Sequence, residues 1–306
     1  MASLPLHKYL IAVVGPTAVG KTMLCVQLAQ HFRTEVVSAD ARQCYQKMAI
    51  GTAQPTAAEK QGVPHHLMGY LPIQTPYSAG MFERDALRML AVLFRRHNRV
   101  ILTGGSGLYV KAVCEGLDTM PRLDTSVREY LNTRLQQAGL RALIQELAAR
   151  DPAYFQIVDR CNPHRIIRAL AVCLATGKPY SASRRNCPAE RPFKVLKVGL
   201  SCNRQVLYEQ INQRVERMLS QGLWAEAAAL YAYRDYHALK TVGYQEIFKC
   251  LSGHYSRQEA VALIKRNTRR YAKRQLTWFG GDEAIRWFQP GDLQGVINYI
   301  NQYSLG

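Results

Sequence analysis

The sequence predicts an α/β protein, a doubly wound parallel sheet that carries a phosphate-binding loop and a helical insertion domain. Three observations predict it. Apolar, β-branched runs recur early in the chain, nearly continuous rather than alternating, as in parallel strands buried on both faces. Helical patterns separate those runs. Between the first run and the helix after it lies Gly-Pro-Thr-Ala-Val-Gly-Lys-Thr, residues 15–22, which matches G-x-x-x-x-G-K-[ST] at every fixed position.

The elements follow in order. Residues 9–14 form the first strand. The loop after it is expected to bind a di- or triphosphate through Gly15, Thr17, Ala18, Val19, Gly20, Lys21 and Thr22. Its glycines let successive N–H groups point at one anion, and the helix that follows turns its positive end to the same spot. Lys21 adds a mobile charge, and Thr22 offers a hydroxyl to Mg²⁺, the expected cofactor. A second strand over 35–39 delivers Asp40. Residues 78–97 read as an amphipathic helix, and a third strand over 99–103 ends at Gly104-Gly105. Gly15, Asp40 and Gly104 each stand just past a strand, so a site along one rim of the sheet is expected.

Strand signals then vanish. Residues 124–147 and 163–175 read as helices, and a Pro/Arg-rich stretch over 178–192 closes the region. The expected division is therefore a core part at 1–117, a helical insertion at 118–190, and a return at 191–306. That return begins with a strand over 193–200 and continues in helices from 204–222 onward.

Lys and Arg number 40 against 22 Asp and Glu, a net charge of +18 that suits a polyanionic partner, nucleic acid first. None of the eight cysteines forms a C-x-x-C pair or a zinc-finger spacing, so reduced thiols in a cytoplasmic protein are expected. Residues 1–8 lack the order of a secretory signal, and no uncharged apolar stretch is long enough to span a membrane.

Asp40 opens Asp-Ala-Arg-Gln-Cys-Tyr. A carboxylate there can partner Mg²⁺, act as a general base, or merely cap the next turn. Arg42 and Gln43 add planar donors, and a Gln amide can pair with an adenine edge. Gly104-Gly105-Ser106-Gly107 is a second glycine-rich turn at the same rim. The adjacent His65 and His66 would point different ways on any regular element, so at most one is expected to face the site. Lys265, Arg266, Arg269, Arg270, Lys273 and Arg274 spread over one half of a helix, with Ile264, Thr268, Tyr271 and Gln275 on the other. No acidic residue interrupts the run, so a phosphate-backbone contact is expected of it. On these residues alone, a small-molecule kinase, a nucleic-acid-binding NTPase and an enzyme that holds diphosphate as a leaving group stay open. The kinase leaves the basic helix unexplained. The NTPase would want a strand ending in acidic residues, and residues 101–104 end without one.

Over essentially its whole length the chain resembles the tRNA dimethylallyltransferases. The resemblance rests on GPTAVGKT at 15–22, SADARQCY at 38–45, GTAQP at 51–55, PHH at 64–66, TGGSGLYVKA at 103–112, NPHRIIRALAV at 162–172, KTVGYQE at 240–246 and RRYAKRQLTWF at 269–279. It implies transfer of a dimethylallyl group to N6 of the adenosine 3′ of the anticodon, with the loop holding the diphosphate of dimethylallyl diphosphate. It further implies that Asp40 is the general base and that Arg214 binds the diphosphate. Contact with the anticodon stem-loop is implied for Asp40, Ala41, Arg42 and Gln43, for Ser106 and Arg128, and for His164, Arg165, Ile166, Ile167 and Arg168. The same holds for Lys240, Thr241, Val242, Gly243, Tyr244 and Gln245, and Arg269, Arg270 and Lys273 are expected to join them. A monomer is expected. Two positions depart from the family pattern: Ala41 stands where Ser is usual, and Gln54 where Lys is usual.

Overall fold

The computed structural model describes residues 7–118, 121, 124–184 and 187–304. Residues 1–6, read above as lacking a secretory signal, lie outside the described residues, as do 185 and 186 of the Pro/Arg-rich stretch. The chain divides into two compact units, residues 1–116 with 190–306, and residues 117–189.

The larger unit is built on one parallel sheet of six strands: β1 (Tyr9–Val14), β2 (Val36–Ser38), β3 (His65–His66), β4 (Arg99–Gly104), β5 (Lys194–Leu200) and β6 (Ile285–Phe288). Their order is β3-β2-β4-β1-β5-β6. Every residue of β1 is buried, which explains its unbroken apolar run. In the register between β1 and β4, Tyr9 lies opposite Arg99 and Val14 opposite Gly104, so both strands finish level. Level strand ends put the loops after β1, β2 and β4 side by side, at the rim where open α/β sheets bind ligands. Two strands escape the sequence reading. β3 is two histidines with no apolar run, and β6 is a four-residue edge strand.

Helix α1 (Lys21–Phe32) leaves the phosphate loop and buries Leu24, Cys25, Val26, Leu28 and Ala29 against the sheet. Helix α2 (Ala57–Lys60) is a single turn, and α3 (Ala79–Leu93) carries the amphipathic pattern, burying Phe82, Ala86, Leu90 and Leu93. Helix α4 (Gly107–Glu115) follows the second glycine-rich turn.

Among the described residues the smaller unit is built from helices: α5 (Thr125–Arg150), broken at Gly139 where φ is 74°, then α6 (Pro152–Ile157) and α7 (Pro163–Thr176). Leu131, Leu143, Leu147, Ile166 and Leu170 close a core of its own.

The larger unit then resumes with α8 (Arg204–Ser220), α9 (Leu223–Ala229), α10 (Tyr244–Leu251), α11 (Arg257–Gly280) and α12 (Leu293–Ser304). Ser256 starts α11 with a capping box, its hydroxyl accepting from Glu259 N–H while the Glu259 carboxylate accepts from Ser256 N–H. Among the described residues no helix is long and apolar enough to cross a membrane.

Candidate functional site

The site begins at the end of β1. Gly15 has φ +143°, and a Cβ on it would sit 2.5 Å from the Leu200 carbonyl oxygen, so the turn requires glycine. The loop curls over its own lysine: Lys21 Nζ donates to the carbonyls of Gly15 at 3.0 Å and Pro16 at 2.7 Å. Arg214 arrives from α8 and donates from Nη1 to Thr17 Oγ1 at 3.1 Å. Burial and the Arg214 charge push Lys21 down from 10.5 to about 8, while the Asp40 carboxylate pulls the other way. Burial also lowers the Arg214 guanidinium, again opposed by Asp40. Two cations close to the N-terminus of a helix make a pocket whose electrostatics favour an anion.

Asp40 stands where β2 ends. Its Oδ1 accepts from Arg42 N–H at 2.8 Å and Gln43 N–H at 3.2 Å, an Asx turn that fixes the carboxylate. Among the described residues Oδ2 takes no hydrogen bond. The capping and catalytic readings of Asp40 are therefore compatible, one oxygen for each.

Ser106, in the second glycine-rich turn, accepts from Ala41 N–H at 2.9 Å and so ties that turn to the Asp40 loop. Its hydroxyl also meets Tyr271 of α11, whose own hydroxyl burial and the Asp40 charge push up to about 12. Tyr271 therefore stays protonated at neutral pH. One turn further on, Gln275 Oε1 accepts from Thr17 N–H at 2.8 Å and Nε2 donates to the Gly105 carbonyl at 2.9 Å. Neither residue stands out in the sequence except as part of the inner face of a basic helix. The available signal is that a buried Gln on an apolar face must have partners.

The loop after Asp40 is braced from within. Gln43 Nε2 donates to the carbonyls of Thr52 at 3.1 Å and Ala53 at 3.0 Å, and Ser38 donates to its Oε1 at 3.2 Å. Its amide is thus spent on the protein, and pairing with an adenine edge does not follow from this arrangement. Gln54 Nε2 donates to the carbonyls of Gln43 at 2.9 Å and Tyr45 at 3.0 Å. An ammonium could make the same two bonds, so Gln54 serves the loop where Lys is usual. Glu226 of α9, a lone acid among alanines, accepts from Ile50 N–H at 2.9 Å, Gly51 N–H at 2.8 Å and the Tyr244 hydroxyl at 2.6 Å.

The remaining sequence-selected residues sort by exposure. Lys240 and Gln245 are exposed, but Gly243 and Tyr244 are buried, with Gly243 N–H donating to Glu246 at 2.8 Å. In the smaller unit Arg128, His164, Arg165 and Arg168 are exposed, whereas the side chains of Ile166 and Ile167 pack into its core. Neither histidine of the adjacent pair reaches the Asp40 turn: His65 Nδ1 meets the Val63 carbonyl at 2.9 Å, and His66 meets the Glu35 carboxylate at 2.6 Å. On α11 the run of cations is not unpaired throughout. Lys265 pairs with Glu216 of α8, and Arg269 donates to Asn212 at 2.8 Å. Arg266, Arg270, Lys273 and Arg274 form the exposed remainder. The partners come from α8, where a search for acids within the helix cannot find them.

The family described as IPP transferase matches residues 43–282. A tRNA dimethylallyltransferase of Cytophaga hutchinsonii is 48% identical over 96% of this chain and 97% of its own length. Among solved structures, the tRNA isopentenylpyrophosphate transferase of Bacillus halodurans has a TM-score of 0.73 at 36% identity, covering 97% of both chains. A eukaryotic dimethylallyltransferase acting on tRNA has a TM-score of 0.77 at 25% identity, covering 97% of this chain and 78% of its own. With the family model matching most of the chain and relatives 36–48% identical along nearly all of it, the chain belongs to the IPP transferase family, the tRNA dimethylallyltransferases.

Proposed function

We propose that the chain transfers a dimethylallyl group from dimethylallyl diphosphate to N6 of the adenosine 3′-adjacent to the anticodon in tRNA, releasing diphosphate. The observation that carries this reading is one chain of contacts: Ser106 accepts from the N–H of Ala41 beside Asp40, Gln275 joins Gly105 to Thr17, and Arg214 donates to Thr17. A proton acceptor and a paired cationic seat for a leaving group thus share one site.

In the reaction, N6 forms a C–N bond to the allylic carbon as the C–O bond to diphosphate breaks. Asp40 Oδ2 takes the N6 proton. Lys21, Arg214 and the N-terminus of α1 receive the negative charge that builds on the departing oxygen. Ser106 holds the Asp40 turn, and Ser106 and Tyr271 offer hydroxyls to the incoming base. Magnesium fits the donor set through Thr22, because this cation takes few protein ligands and completes its shell with phosphate oxygens and water. Among the described residues no group of three His, Cys, Asp or Glu could hold a metal alone. When bound, the ion would neutralise diphosphate charge. Arg128, His164, Arg165 and Arg168, with Lys240, Gln245 and the exposed cations of α11, are the side chains we assign to tRNA. The enzyme would work as a cytosolic monomer.

The test incubates the protein with labelled dimethylallyl diphosphate and either an anticodon stem-loop or AMP. Label in the stem-loop, without nucleoside triphosphate, supports the reading. ADP released in step with turnover would return the kinase, and label in AMP alone would make the acceptor a free nucleotide.

A further inference from the structure

The segment between α9 and α10 holds two exposed aromatic rings on a firmly tied backbone. Tyr231 packs edge-on to Phe248 with centroids 5.7 Å apart, and Ala238 and Leu239 are buried. Successive turns are closed by Tyr233 N–H to the Leu230 carbonyl at 2.9 Å, Tyr236 N–H to Tyr233 at 3.0 Å and Leu239 N–H to Tyr236 at 3.1 Å. From this frame Tyr233 stands out 39% exposed and Tyr236 43% exposed, their centroids 6.2 Å apart and their planes at 41°. A single aromatic on a surface needs no explanation. Two neighbouring ones on a braced turn offer flat apolar area that loses little freedom on binding.

Their surroundings point to a partner. Arg234 lies over the Tyr231 ring at 4.7 Å, and Lys240 is exposed. His237, next to Tyr236, meets Arg42 Nη1 through Nδ1 at 3.3 Å. Arg42 is the residue whose N–H the Asp40 carboxylate holds at 2.8 Å. The rings therefore sit on a segment joined by one side-chain contact to the turn of the candidate base. Aromatic faces interleaved with cations are the composition that binds unpaired nucleotides.

We propose that Tyr233 and Tyr236 are a stacking platform for the nucleotides flanking the target adenosine, a role that rests on the RNA reading above. An adenine that enters the site leaves its stack and strands the faces of its neighbours. A tyrosine ring covers such a face whatever the base, because every base has a π-face. Arg42, Arg234 and Lys240 then meet the phosphates between those nucleotides.

The experiment uses anticodon stem-loops with 2-aminopurine at the nucleotide 5′ or 3′ of the target adenosine. Bound to the wild-type protein, the probe stays dim, quenched by the ring. It brightens on the Tyr233→Ala/Tyr236→Ala variant and stays dim on the double Phe variant. Affinity for the stem-loop falls about tenfold per ring removed. The affinity for inorganic diphosphate, a check on folding, stays at the wild-type level. Unchanged fluorescence and affinity in the double Ala variant, with the wild type alkylating RNA, would overturn the platform alone. A wild-type protein that neither binds nor alkylates the stem-loop would remove the RNA reading and the platform with it.

Discussion

Gln275 accepts the backbone N–H of Thr17 at 2.8 Å, so the basic helix α11 grips the middle of the phosphate loop. The other end of the same amide donates to the Gly105 carbonyl at 2.9 Å. A Cβ on residue 105 would run into that amide, which explains a glycine there. Gln275→Leu keeps the volume and leaves two backbone groups without partners, at a cost of about 1–3 kcal/mol each. Unfolding in urea should report that loss, and KM for dimethylallyl diphosphate should rise while tRNA affinity holds. Lower stability with an unchanged KM would confine Gln275 to packing.

Asp40 divides its carboxylate between a turn and an open oxygen, and Asp40→Asn separates the two. Asparagine can still accept from Arg42 and Gln43 through Oδ1, so the turn and the thermal midpoint should survive. Loss of the base should lower the single-turnover rate by roughly 10²–10⁴-fold. A rapid-quench measurement showing a near-normal rate would leave Asp40 as a cap.

What the sequence displays of this site is what the chain itself makes local. The phosphate loop, Asp40 and the second glycine turn follow strands whose apolar runs are continuous because β1 and its neighbours are buried on both faces. The clamps are not local. Gln275 lies 258 positions from Thr17, and Glu226 lies 176 from Ile50, separations over which no periodicity speaks. Strand β3 escapes notice because its two histidines gain their place from pairing with β2. The partner of Lys265 is hidden for the same reason, since Glu216 is on another helix.

Lys21 gives the site a pH signature. In the ligand-free protein its ammonium discharges as pH passes about 8. Diphosphate must then restore the proton, so affinity should fall by up to about tenfold per pH unit above that point. Stability has the opposite sign. Between about 8 and 10.5 the folded chain has lost a proton that the unfolded chain keeps, so the Lys21 contribution stabilises the free protein as pH rises through that window. Lys21→Arg fixes the charge and should flatten the binding profile. Calorimetry with inorganic diphosphate over that range decides it, and an identical profile in the variant would place the titration on the ligand.

The exposed cations of α11 are expected to set tRNA affinity without touching the chemistry. Lys265 and Arg269 already have partners on α8, so Arg266, Arg270 and Lys273 are the informative replacements. Each phosphate contact releases counterions, and losing one should reduce the slope of log affinity against log salt by roughly 0.7–0.9. The triple Ala variant should therefore bind tRNA more weakly at low salt and approach the wild type at high salt. The single-turnover rate at saturating tRNA should stay level, because Tyr271 and Gln275 lie on the opposite, inner face of the helix and keep their bonds. Filter binding across a salt series measures both quantities. Parallel lines of equal slope would make these residues an ordinary solvated face.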